Sequence, residues 1–113
     1  MKSSSLIKDL VYNENKPAIS VLLETENTKE IRIAMKSGQV MKEHKTKFPI
    51  TVMTLQGSIE FGVGDETVIL DQGDVIALEG NILHELKALK ESVVRLSLHK
   101  SDTVARVNSV LKL

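Results

Sequence analysis

Apolar and polar residues alternate along this chain in short runs, and a glycine, asparagine or aspartate soon interrupts each one. Period-two alternation places one set of side chains on each face of a strand. Many short runs with turns between them specify a sheet closed on itself, or two sheets packed together. Residues 18–23, 30–36, 50–56, 58–63, 67–70, 75–78 and 92–99 read as strands. With the alternating stretch from His84 to Ala88, that makes about eight. In 30–36, Ile31, Ile33 and Met35 share a face, and in 58–63, Ile59, Phe61 and Val63 do. Gly64-Asp65 is a two-residue hairpin signal. Gln72-Gly73-Asp74 and Glu79-Gly80-Asn81 are further turns, and residues 42–49 read as a loop. Residues 1–16 are polar and mixed, and 5–11 could be a short strand or one helical turn. Residues 101–113 predict a short helix capped by Ser101 or Asp102, with Val104, Val107 and Leu111 on one face. The expected fold is all-β, a small barrel or sandwich, with closure removing the exposed sheet edges.

A chain of 113 residues is expected to form a single domain spanning 1–113. It can bury about 65% of its unfolded surface without staples. Fifteen basic and fifteen acidic residues cancel, which argues against a nucleic-acid partner. Aromatic side chains are limited to Tyr12, Phe48 and Phe61, so platforms for stacking bases are scarce. The chain has no cysteine, which excludes disulfides, thiolate metal ligands and a cysteine nucleophile. No run approaches the ~18 apolar residues of a spanning helix, so no membrane partner is expected and a cytoplasmic location is the default expectation. No P-loop, glycine-rich phosphate loop or G-x-S-x-G elbow is present.

Three histidines are the main carriers of chemistry. His44 lies in the lysine-rich stretch 42–47, His84 follows the turn at 79–81, and His99 closes the last strand. Strand parity puts His84, Leu86 and Ala88 on one face, with Val94, Leu96 and Leu98 offered to the same interior. Arg95, Ser97 and His99 then lie outside, where His99 reads as a solvent or interface residue. The inward run Ile50, Val52 and Thr54, with Phe61 and Leu78 nearby, predicts a mainly apolar pocket. Read alone, His44 and His84 could each be an ordinary partly buried side chain.

Their setting resembles the cupin superfamily, whose two motifs are G-x5-H-x-H-x3,4-E-x6-G and G-x5-P-x-G-x2-H-x3-N. Gly38, His44 and Gly57 fall on the first motif, and Gly73 and His84 on the second. The resemblance spans about 38–100 and implies a double-stranded β-helix, or jelly-roll, barrel. It also implies that His44 and His84 face one cavity, and that two chains pair as a homodimer, often by exchanging N-terminal strands. The family holds a divalent metal (iron, zinc, manganese or nickel) with two histidines and a glutamate of the first motif and the histidine of the second. Here Thr46 replaces the second histidine and Ile50 the glutamate. Glu79 stands for the proline, Asn81 for the glycine and Ala88 for the asparagine of the second motif. Only His44 and His84 remain as ligands, and parity turns Glu43 and Glu85 away from them.

Three functions follow as expectations. The first is a cupin-like small-molecule-binding protein with a degenerate metal site. Its ligand, a small molecule of anionic type such as a carboxylate or phosphate, would meet His44, Thr46, Lys47, His84 and Glu79. The bland reading of the lysines is a solvated loop. The second is a metal-dependent cupin enzyme, of dioxygenase or isomerase type, using His44 and His84 with water or Glu79. The third is a structural dimer module with a vestigial pocket.

Overall fold

The alternation translates into burial in the computed structural model, which describes residues 1–100. Nine strands occur among the described residues: β1 (Ala18–Glu24), β2 (Thr28–Met35), β3 (Val40–His44), β4 (Ile50–Gln56), β5 (Ser58–Val63), β6 (Glu66–Asp71), β7 (Val75–Leu78), β8 (His84–Ala88) and β9 (Ser92–His99). One sheet has the order β1-β2-β9-β4-β7 and the other β3-β8-β5-β6. All neighbouring strands run antiparallel. The all-β expectation holds, with two sheets enclosing one core. No helix among the described residues is long and apolar enough to cross a membrane. The helix expected at 101–113 lies outside the described residues.

The core takes one face from each strand. Ile31, Ile33 and Met35 of β2, Val94, Leu96 and Leu98 of β9, and Ile50 and Val52 of β4 meet Ile59 and Phe61 of β5 and Leu86 and Ala88 of β8. Each fully buried apolar side chain of this size contributes roughly 1.5–3 kcal/mol relative to exposure. Gly57 joins β4 to β5 at φ +92, and a Cβ there would lie 2.5 Å from the Glu91 carbonyl oxygen and 2.7 Å from Ser92 Cα. Only glycine lets the turn lie this close to the start of β9, where the Ser58 amide donates to Ser92 Oγ at 3.0 Å.

One expectation is corrected here. Residues 42–44 are not loop but the end of β3, which pairs with β8 through Val40↔Lys87, Met41↔Leu86 and His44↔His84. Three steps along β3 match two along β8, so the strand is bulged between Met41 and His44. The bulge and the exposed Lys42 and Glu43 erase the alternation that would have marked the strand.

The outer face of β2 is also covered. Glu30 and Arg32 are buried beside Ala34. Glu30 accepts hydrogen bonds from Thr28 Oγ1 at 2.9 Å, from Arg95 Nε at 3.0 Å and from Ser97 Oγ. Burial pushes its carboxyl up, but these hydrogen bonds together outweigh burial and hold it below the usual range. Residues 1–16 form neither strand nor helix and lie against this face.

Candidate functional site

His44 ends β3 and His84 begins β8, and the two are paired residues across the sheet. Their ring centroids are 4.4 Å apart with planes tilted by 54°. Beneath them, Phe61 stacks on His84 at 5.6 Å with planes 10° apart. His84 is only 2% exposed, whereas His44 is half-buried at the rim. The bulge explains how Met41 and His44, an odd number of residues apart, both come to line the same cavity.

Each imidazole is fixed by the same local device. His44 Nδ1 lies 2.8 Å from the Lys42 carbonyl oxygen, and His84 Nδ1 lies 2.9 Å from that of Ile82. A carbonyl can only accept, so each Nδ1 carries the hydrogen, and in the neutral ring Nε2 is left with its lone pair. Burial lowers the pKa of both rings, partly offset by these backbone hydrogen bonds, and the nearby His44 lowers that of His84 further. Both rings are therefore neutral near pH 7 and act there as acceptors.

The cavity they line is small, about 10 Å³. That is room for about one water molecule. Thr46 and Ile50 complete its wall with apolar side chains that include Met41, Val52 and Leu96. Thr54, Phe61 and Leu78 belong to the surrounding core and do not line it. Thr46 is buried, its hydroxyl donates to the Phe48 carbonyl at 3.0 Å, and its own carbonyl accepts from the Asn81 amide at 2.7 Å. Lys47 and Glu79 are exposed and do not line the cavity. The Lys47 ammonium lies 5.6 Å from the centroid of the Phe48 ring. His99 stacks on Phe48, with ring centroids 4.1 Å apart, and does not line the cavity. Glu43 and Glu85 are exposed, as parity requires.

Sequence reasoning brought together His44, Thr46, Ile50, Val52 and His84, offered Leu86 and Leu96 to the same interior, and missed Met41 and Ile33 as wall residues. Parity along β2, where Ile33 shares a face with Ile31 and Met35, could have found Ile33. No parity count reaches Met41, because the bulge resets it.

The donor set does not fit the metal that the fold family implies. Among the described residues no group of three His, Cys, Asp or Glu side chains could hold an ion. Metal sites of this chemistry use three or four protein ligands, commonly with a carboxylate. Two neutral imidazoles leave the remaining positions to water, and the cavity has space for about one.

No known family model matches the sequence, and no curated protein matches it. Solved structures do match. The chain is similar to an RmlC-like cupin protein from Desulfovibrio desulfuricans, with 22% identity, a TM-score of 0.80, and 88% of this chain and 96% of that one covered. It is similar to a conserved protein with a double-stranded β-helix domain from Klebsiella pneumoniae, at 20% identity and TM-score 0.73, covering 84% and 85%. It also resembles a cupin-2 domain-containing protein from Shewanella frigidimarina, at 13% identity and TM-score 0.67, covering 79% and 85%. The fold is thus that of the small cupins, a double-stranded β-helix barrel with the histidine pair at one end.

Proposed function

We propose that this chain is a cupin-like small-molecule-binding protein that offers His44 and His84 as a pair of hydrogen-bond acceptors to one guest group. The observation that carries this reading is the fixed tautomer of both rings. With each Nδ1–H held by a backbone carbonyl, Nε2 is the ring nitrogen left for a guest. A matching guest presents an ammonium, amide or hydroxyl hydrogen. An anionic guest, the expectation from sequence, needs donors instead. The Thr46 hydroxyl already donates to Phe48, and the Lys47 ammonium lies outside the cavity. The cavity volume sets the second term of the reading: only the tip of a guest enters, and its body rests outside at the His44 rim.

Protein purified without tag or chelator tests this by native and elemental mass spectrometry, with His44→Ala alongside. A retained small molecule, lost in His44→Ala, supports the reading. Near one metal ion per chain, lost in the same variant, overturns it in favour of the metal-dependent enzyme. That second reading has one observation on its side. A histidine ligand to a metal commonly donates its other ring hydrogen to a carbonyl, as both rings do here.

A further inference from the structure

On the opposite face of the β1-β2-β9 sheet from the core lies a groove of about 480 Å³, walled by residues of the N-terminal segment and of β1 and β2. Arg32 lines it, is only 8% exposed, and has no carboxylate within ion-pairing distance among the described residues. Its Nη1 donates to the Lys8 carbonyl at 3.0 Å and its Nη2 to the Asp9 carbonyl at 3.4 Å. Two of its five N–H donors are thereby used. Its cross-strand neighbours give no counter-charge: Ser20 stands opposite on β1 and Arg95 on β9. Of the acids near it, Glu30 is already paired with Arg95 at 2.9 Å, and Glu91 is hydrogen-bonded to Tyr12, the phenol that Arg32 faces. A buried cation without a counter-ion is costly.

The rest of the wall is suited to supplying what is missing. Lys8, Ser3, Ser4, Ser5 and Ser20 line the same groove, with Asp9 the one acid among its lining residues. Ser5 Oγ accepts from the Lys8 amide at 2.9 Å and the Ile7 amide at 3.2 Å. That turn sets the Lys8 and Asp9 carbonyls on Arg32. The groove lining therefore carries two cations against one carboxylate, together with several hydroxyl donors.

We propose that this groove is a second binding site, separate from the histidine cavity, for a small molecule bearing an oxyanion, either a phosphate ester or a carboxylate. Arg32 and Lys8 supply the charge and the serines supply neutral donors. An arginine fork suits such a group, and hydrogen bonds to charged partners are roughly twice as strong as neutral ones.

The test is an amide-resolved NMR titration of the full chain at constant ionic strength, with inorganic phosphate in one arm and acetate in the other. Saturating shifts at the amides of Ser3, Ser4, Ser5, Lys8 and Arg32 are expected in at least one arm, and the stronger arm identifies the anion. Lys8→Gln, a change at an exposed side chain, should weaken binding by about two- to fivefold, the value of one exposed charge contact. Lys90→Gln, an exposed lysine remote in sequence from the groove, should leave it unchanged. Arg32→Gln should abolish saturation, and Lys8→Gln keeps the test valid if that variant loosens the N-terminal segment. Shifts that grow linearly in both arms overturn the proposal, as does equal binding by Lys8→Gln and the parent.

Discussion

Gly80→Ala tests how the two loops that frame the histidine cavity are held together. A Cβ on Gly80 would collide with the Lys47 carbonyl oxygen, and would lie 3.0 Å from the Lys47 carbonyl carbon and 3.2 Å from Phe48 Cα. All three are backbone atoms, so no side chain can swing aside. The turn at 79–81 must move off the 46–48 segment, and the hydrogen bond from the Asn81 amide to the Thr46 carbonyl, 2.7 Å long, goes with it. Overpacking of this kind costs about 1–3 kcal/mol, and the lost hydrogen bond adds about 1. The expected destabilisation is therefore about 2–4 kcal/mol, or roughly 10–20 °C in Tm. The sign is the sharp part. Gly80 is not among the glycines with positive φ. Without the contact, alanine there would stabilise by about 0.4–1 kcal/mol through the unfolded chain. Gly73→Ala is the comparison: its φ is +89 and nothing lies within 4 Å of a Cβ, so it bears only a backbone penalty, about 1–2 kcal/mol. Urea unfolding followed by far-UV circular dichroism is the assay, since the chain has one tyrosine and no tryptophan. A Gly80→Ala midpoint at or above the parent's would refute the reasoning.

Three further outcomes are expected. Both histidines have lowered pKa values, so the unfolded chain takes up protons that the folded rings resist. Stability is then fully present above the ordinary imidazole range, near pH 6.5, and falls as pH drops below it. Glu30, also lowered, keeps its contribution above the ordinary carboxylate range, near pH 4.5, and loses it only below that; urea midpoints from pH 7.5 to 5 should therefore fall through the two histidines, with less slope in His84→Leu, and a flat profile counts against the burial argument. Thr54 has a fully buried hydroxyl oxygen without a hydrogen-bond partner, so Thr54→Val should stabilise by about 1–2 kcal/mol, and a loss would instead mean that the hydroxyl has a partner in solution. His84→Ala removes a buried ring packed on Phe61 and should cost about 2–4 kcal/mol, whereas His44→Ala at the rim should cost about 1 or less; equal costs in calorimetry would contradict their different burial.

Much of this fold was legible because alternation and burial are the same signal. The inward faces of β2, β5, β8 and β9 follow period two without a break, and Ile31, Phe61, Leu86 and Leu96 are all in the core. The N-terminal segment was not legible in this way. Residues 5–11 left strand and helical turn open, and the segment is neither, being held by carbonyls on Arg32 and Gln39 rather than by a pattern of its own. Arg32 itself is the instructive failure. In an alternating strand a charge reads as solvent-facing, and this one is covered because a separate segment lies over it.

The histidine site divides along a different line. Gly57 and Gly73 match the motif because backbone geometry demands them: both sit at positive φ, and a side chain at Gly57 would enter the backbone of β9. That demand comes from the fold and persists whatever the barrel binds. Thr46 and Ile50, which stand where the resemblance implies a histidine and a glutamate, are under no such demand. Both remain buried in the cavity wall, where a hydroxyl satisfied by a carbonyl and an aliphatic side chain are each stable. A motif matched at its glycines and broken at its donors therefore reports architecture and leaves chemistry to the atoms that remain. Here those are two imidazoles with their Nδ1 hydrogens turned to the backbone, a choice that only the local path at Lys42 and Ile82 reveals.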